Sequence, residues 1–124
     1  GIKFFLVSYL DLFGVQRAKL VPASAIKSVA DEGAGFAGFA AHFDMTPADA
    51  DLLAFPDPSS LIKLPWKPEV AWLASDLWIN GKVFEQSPRR VLQRQIKRAL
   101  DKGYTLKTGV EVEFMLLIPS EEPG

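Results

Sequence analysis

The sequence predicts an α+β domain, in which a helix packs against a curled mixed sheet. Short apolar runs separated by turn residues recur from Phe4 to Gly81, and they are typical of strands. One amphipathic segment, Ser87–Lys102, has clear helix start and stop signals. A last apolar run follows it. The predicted order is therefore strand, strand, helix, several strands, helix, strand, which suits the α+β class.

Composition limits the classes of function. The 124 residues are enough for one domain, and the net charge of -1 gives no reason to expect nucleic acid or an anionic membrane as partner. No cysteine is present, which excludes disulfide and thiolate chemistry and is compatible with a cytoplasmic location. The apolar share of 48% is high for a free-standing domain and indicates a face that expects a partner.

The N-terminal residues predict a β-hairpin. Phe4–Leu10 is apolar on both faces, as in a central strand, and Val15–Val21 returns as its neighbour. Between them Asp11 opens and Gly14 closes a turn. A signal peptide is the competing interpretation of the first apolar run. The charges at Asp11, Arg17 and Lys19 argue against it.

The next segment predicts a short helix, Pro22–Glu32, which Gly33 ends. Its buried stripe would consist of Ile26, Val29 and Ala30. The small apolar run 34–41 then favours a packed strand and turn over a membrane-inserting loop, because its glycines allow close backbone approach.

The middle of the chain contains further strands, and Asn80-Gly81 is a hairpin-turn signal. The predicted strands are Leu61–Leu64, Val70–Ala74 and its continuation Asp76–Ile79. Three acidic residues precede them, and they lack the glycine and terminal glutamate of a calcium loop. We interpret them as solvated turns: Asp49, Asp51 and Asp57.

The second helix is predicted from Ser87 to about Lys102, with Ser87-Pro88 at its start and Gly103 as its stop. One face carries an apolar stripe that we expect to be buried: Val91, Leu92, Ile96, Ala99 and Leu100. The other positions are mostly basic. Without aromatic interleaving or overall basicity, a solvated or interface face is favoured over nucleic-acid binding.

The stretch Gly109–Ile118 predicts a strand. Val110, Val112 and Phe114 would occupy one face, and Glu111 and Glu113 the other. The two carboxylates would then lie roughly 6–7 Å apart. Either solvent or a divalent cation would offset their repulsion, and spacing alone leaves both interpretations open.

A wider pattern resembles the glutamine synthetase family. It consists of Gly109-x-Glu-x-Glu-Phe-x-Leu116, of Phe43-Asp44 followed by the run 51–57, and of Ser87-Pro88-Arg89 at a helix start. The resemblance implies a β-grasp-like N-terminal domain, residues 1–105, and the first strand of a truncated catalytic domain, residues 106–124. It also implies that Glu111 and Glu113 bind Mg²⁺ or Mn²⁺, that ATP is a co-substrate, and that this part alone is inactive.

Asp44 acquires a role only through this resemblance. In the family, a Phe-Asp pair begins a loop that reaches the neighbouring subunit's active site and helps to bind ammonium. The usual continuation is Gly-Ser-Ser, whereas here it is Met45-Thr46-Pro47-Ala48-Asp49. This departure leaves room for another amine. The alternative is an ordinary acidic turn. His42, the only histidine, receives no catalytic role.

The resemblance therefore implies a ligase that joins glutamate to ammonia, or to another amine, at the expense of ATP. It implies a homo-oligomer with shared active sites, and no nucleic-acid or membrane partner. Two other classes stay open. One is a regulatory or binding module that kept the fold without the chemistry. The other is an unrelated α+β interaction domain in which Glu111 and Glu113 are merely solvated.

Overall fold

The computed structural model describes residues 1–119, which form a mixed β-sheet and two α-helices. The strands are β1 (Phe4–Leu10), β2 (Gln16–Pro22), β3 (Ala34–Phe36), β4 (Leu52–Pro56), β5 (Ile62–Lys63), β6 (Val70–Ile79) and β7 (Lys82–Val83). The helices are α1 (Ile26–Glu32) and α2 (Pro88–Leu100). Neither helix in this part of the chain has the length and apolar character needed to span a bilayer.

The predicted hairpin is confirmed. β1 and β2 pair antiparallel from Phe4 opposite Pro22 to Leu10 opposite Gln16. The Asp11 N–H donates to the Val15 carbonyl at 3.0 Å, and Gly14 adopts a φ of 76°, which explains why glycine closes the turn.

The sheet has the strand order β2-β1-β6-β4-β3. β1 pairs parallel with the first half of β6, and β4 pairs antiparallel with its second half. The ten-residue strand β6 therefore connects both halves of the sheet, and β5 and β7 add short pairings to it. Its burial along most of its length follows from this central position.

The sheet curls until its two ends approach each other. Lys19 on β2 contacts the Gly35 carbonyl on β3, and its ammonium lies 4.9 Å from the centre of the Phe36 ring. Inside the curl, Tyr9 meets Phe36 edge-to-face at 4.8 Å. The core inside the curl contains Val7, Leu52, Ala54 and Leu77, all almost fully buried. The predicted class, an α+β fold with a curled, β-grasp-like mixed sheet, is thus confirmed.

α1 follows a short 3₁₀ turn and packs against β4. Ile26 and Val29 contact the core as predicted, but Ala30 is exposed. The prediction for Ala30 was wrong: Ile26 and Val29 face the core, whereas Ala30 lies on the exposed side of this seven-residue helix. Gly33 ends the helix at a φ of 80°, where an added Cβ would lie 2.9 Å from the Leu53 Cβ. The backbone of Gly33 therefore lies close to β4.

β4 is the main element that sequence reasoning missed. Leu52 and Ala54 are fully buried in the centre of the curl, although the neighbouring acidic residues favoured turns. Tertiary burial overrides local polarity here. Asp57 does lie in a turn, where it caps a 3₁₀ segment, but it also binds Arg89 across the fold.

α2 has the predicted start, since the Ser87 Oγ accepts the Arg90 N–H at 3.4 Å. Its apolar stripe, however, is not buried. Leu92 is 54% exposed and Leu100 56% exposed. The helix is tied to the sheet near its N-terminal end only, and a cavity of about 370 Å³ separates Leu92 from Leu10 and Trp72. The rest of its stripe has no covering element among residues 1–119.

The strand predicted for Gly109–Ile118 does not form. Residues 104–119 have no regular secondary structure, and Val110 and Leu116 are about nine-tenths exposed. A strand needs a hydrogen-bonding neighbour, and no described strand pairs with this stretch. Residues 120–124 of the predicted second segment lie outside the described residues, and the division at residue 105 stays a prediction.

Candidate functional site

Asp44 lies at the apex of a tight turn. The Met45 N–H donates to the Phe43 carbonyl at 2.7 Å, a bond that spans only the residue between them. Phe43 is 5% exposed and Met45 packs against the core, whereas Asp44 is exposed. The two flanking side chains therefore point inward and the carboxylate is presented to solvent.

Phe43 is the stronger of the two anchors. Its ring meets Phe84 edge-to-face at 5.1 Å and lies 6.2 Å from the ring of Tyr9. Aromatic pairs of this geometry stabilise beyond their buried area. The residue before Asp44 is thus fixed by contacts with β1 and with the segment after β7.

Met45 is the anchor that sequence reasoning missed. It enters the space that Gly38 leaves open, and an added Cβ on Gly38 would lie 2.2 Å from the Met45 Sδ and 3.3 Å from the Leu52 Cδ1. The signal in the sequence was the small-residue run 34–41, which indicated close approach without saying to what. Gly38 itself is buried.

The loop continues in a second closed turn. The Asp49 carboxylate accepts the Thr46 N–H at 2.6 Å and the Thr46 hydroxyl at 2.9 Å. These two hydrogen bonds lower the pKa of Asp49, so it stays ionised at neutral pH. Asp49 therefore closes the loop that follows Asp44 through one of its carboxylate oxygens, Oδ2.

His42 precedes the turn and adopts a φ of 55°, the left-handed conformation. Its ring contacts Phe13 at 5.2 Å in an edge-to-face arrangement. Phe13 lies at the tip of the first hairpin and is 77% exposed. The hairpin tip and the Asp44 loop thus form one continuous edge of the molecule.

Glu111 and Glu113 lie in the irregular segment after α2, and both are exposed. Carboxylate oxygens are the ligands that Mg²⁺ and Mn²⁺ prefer, so the donor type fits such a metal. Within residues 1–119, however, no group of three or more His, Cys, Asp or Glu side chains could hold an ion. The pair would supply only part of a coordination shell, and it does not join Asp44 into one described cluster.

Comparison with known proteins gives close relatives. The glutamine synthetase of Rhizobium meliloti (strain 1021) is 55% identical over 119 residues, 96% of this chain. The glutamate–methylamine ligase of Methyloversatilis universalis is 42% identical over 118 residues, 94% of this chain. The chain spans about 27% of the length of these curated relatives. No protein-family model matches.

A solved structure of a GmaS in complex with ADP superimposes on this fold with a TM-score of 0.79 and 62% sequence identity. The superposition covers 82% of this chain and 24% of that one. Sequence and fold therefore agree on the same group of relatives.

Proposed function

Because this chain belongs to the glutamine synthetase family, we propose that it is part of an ATP-dependent ligase that joins glutamate to an amine. One observation carries the proposal. Any continuous match over 119 of the 124 residues includes Asp44, Glu111 and Glu113, so the similarity extends over every residue to which we assign a role.

In the proposed reaction, ATP phosphorylates the side-chain carboxylate of glutamate, and the amine nitrogen then attacks the acyl carbon. A C–N bond forms, phosphate leaves, and the amine gives up a proton. Two bound divalent metals would offset the negative charge of the phosphates. Glu111 and Glu113 would each contribute an oxygen ligand to one metal, and the remaining ligands would come from the rest of the longer protein.

Asp44 would act on the amine. Its carboxylate is exposed among residues 1–119, because the flanking side chains point into the core, and there it would meet a positively charged ammonium or alkylammonium group. Such a group is stabilised by a fixed negative charge before it loses its proton. We propose that this carboxylate reaches a neighbouring subunit in a homo-oligomer, as the family resemblance implies.

Two acceptors compete within this proposal. Ammonia is the acceptor that the family resemblance implies, whereas the relative from Methyloversatilis universalis is named for methylamine. The loop Met45–Asp49, which departs from the usual Gly-Ser-Ser continuation, leaves room for a different amine. A cytoplasmic location stays part of the proposal.

The test is amine-dependent release of ADP by the full-length protein, with ATP, glutamate and Mg²⁺. Turnover with ammonia supports a glutamine synthetase, and turnover with methylamine or a larger amine supports a γ-glutamyl-amine ligase. No turnover with any amine overturns the ligase and favours the regulatory module. The 124-residue chain alone, the matched control, is expected to release no ADP.

A further inference from the structure

The loop that carries Asp44 is closed by contacts within this chain alone. Phe43 and Met45 enter the core on either side of it, and Thr46 and Asp49 close the following turn. None of these contacts requires a second subunit. The backbone at Asp44, and with it the direction in which this side chain leaves the loop, is therefore set by contacts within the chain before any neighbour or substrate arrives, which is preorganisation in the physical sense.

Of the two anchors, Phe43 stabilises the core as a whole, because its ring packs against those of Tyr9 and Phe84. Met45 mainly holds the loop in place. Its thioether occupies the space over Gly38, and its backbone N–H closes the turn around Asp44. A change at Met45 should thus move Asp44 while leaving the fold intact.

We propose that Met45, seated on Gly38, is a positioning residue that sets the direction of the Asp44 carboxylate and thereby the affinity for the amine. This inference rests on the proposed function. Met45 touches no substrate in this account. It acts through Asp44, and a side chain at Gly38 would displace the flexible end of Met45 from its present position.

The side-chain properties of Met45 and Gly38 explain how the two residues can hold the loop. Methionine is flexible and fills irregular space well. Gly38 leaves such a space because it has no side chain, and Leu52 on β4 forms its apolar wall. A shift of about 1 Å in a positioning group can cost on the order of a hundredfold in rate. A loosened anchor is therefore expected to be visible in kinetics.

The experiment uses the full-length protein and four variants: Met45→Ala, Met45→Leu, Gly38→Ala and the double variant Gly38→Ala/Met45→Ala. We expect Met45→Ala and Gly38→Ala each to raise KM for the amine about tenfold, with KM for ATP and glutamate unchanged. Met45→Leu keeps an apolar anchor and should stay within about threefold of the parent.

The double variant distinguishes loss of the contact between Met45 and Gly38 from general destabilisation of the fold. Once Met45 is shortened, the methyl group that Gly38→Ala introduces no longer meets a thioether, so this change should add little in the Met45→Ala background. Such non-additivity is expected for residues that contact each other, whereas the effects of changes at distant, independent sites add. Independent, additive effects of the two changes would overturn the proposal.

Hydrogen exchange of the backbone amides of residues 44–46, 48 and 49 in the same variants gives a readout that does not depend on activity. Faster exchange together with a raised amine KM supports the positioning role. Faster exchange with an unchanged amine KM overturns it and leaves the ligase proposal intact. No amine-dependent turnover by the unsubstituted protein overturns the ligase proposal and this assignment with it.

Discussion

At the scale of single residues, Asp11 shows how one buried carboxylate fixes a hairpin. Its side chain is fully buried and accepts the N–H groups of Phe13 and Val15, each at 2.9 Å. The Arg17 guanidinium pairs with it at 2.9 Å. Burial raises the pKa of Asp11, but the hydrogen bonds from Val15, Arg17 and Phe13 outweigh it, so the pKa lies below its usual value.

This pKa shift predicts an acid-dependent loss of stability. A carboxyl group with a lowered pKa in the folded state stabilises the fold above its unfolded pKa of about 3.9, and that contribution is lost as pH falls through the folded pKa. Asp11→Asn should therefore lower the melting temperature at pH 7 and flatten the decline of stability below about pH 4.

Thermal unfolding of this chain from about pH 7 to about pH 2 measures the effect. The exposed Asp31→Asn is the matched control, because it removes the same charge from the surface of α1. Parallel pH profiles for Asp11→Asn and the parent chain would show that Asp11 contributes nothing to the acid dependence.

The candidate site also illustrates what single residues reveal. Asp44, Glu111 and Glu113 are chemically conspicuous and could be proposed from the sequence. Met45 could not, because an apolar side chain in an acidic loop carries no chemical signal, and its partner Gly38 lies seven positions earlier. Only the fold brings the two together.

At the scale of elements, the turn between β6 and β7 offers a local test. Asn80 and Gly81 have φ values of 50° and 72°, both left-handed, as the hairpin signal predicts. Gly81→Ala should lower the free energy of unfolding by about 1–2 kcal/mol, because an L side chain is strained in this conformation.

Chemical denaturation of the chain measures this loss. Gly109→Ala is a fair control, since an added Cβ would meet no atom within 4 Å at either glycine and only Gly81 has a left-handed φ. Equal free energies for the two variants would contradict the backbone explanation.

The attachment of α2 is a second element-scale feature. Arg89 binds Asp76 at 3.0 Å and Asp57 at 2.5 Å, and Gln93 also donates to Asp76 at 3.0 Å. The hydroxyl and the N–H of Ser59, followed by Arg89, lower the pKa of Asp57. The helix is thus held through polar contacts at one end.

Arg89→Met should loosen this helix more than it destabilises the fold. Partly exposed ion pairs contribute about 0–1 kcal/mol each, so the melting temperature should fall only slightly. Amide exchange in α2 should rise several-fold, since local opening governs it. Lys97→Met is the control, because Lys97 pairs with Asp101 within the same helical segment. Similar exchange in both variants would show that Arg89 does not attach α2.

The helices and strands also differ in how strongly the local sequence determines them. β1, its turn and the start of α2 were predicted closely, because alternation, capping and glycine signals are local. β4 was missed, since its burial depends on β3 and β6 on either side. The strand at 109–118 was predicted from a genuine alternation, but no described neighbour pairs with it.

At the scale of the whole molecule, the apolar residues fall into two sets. One set fills the inside of the curled sheet. The other is exposed and includes Phe13, Trp66, the stripe of α2 and the segment 110–118. The high apolar share of the sequence predicts a face that expects a partner, and we propose α2 and the segment 110–118 as that face. In the proposed ligase, the remainder of the protein would cover them.

The residues of the proposed site also lie in two separate parts of the chain. Asp44 belongs to the curled sheet, whereas Glu111 and Glu113 belong to the segment after α2, and residues 1–119 do not bring them into one metal-binding group. The proposed oligomer would resolve this separation by placing Asp44 of one subunit beside the metal-binding pair of its neighbour. Active sites shared in this way make activity a property of the oligomer.

The most direct test is complementation between two inactive variants of the full-length protein, Asp44→Asn and Glu111→Gln. Each alone should lose most amine-dependent ADP release. After joint dissociation and reassembly, about a quarter of the sites should combine an intact Asp44 with an intact Glu111 by random assortment, and activity should return to about that fraction. A mixture as inactive as its parents, or full activity in either variant alone, would contradict the account.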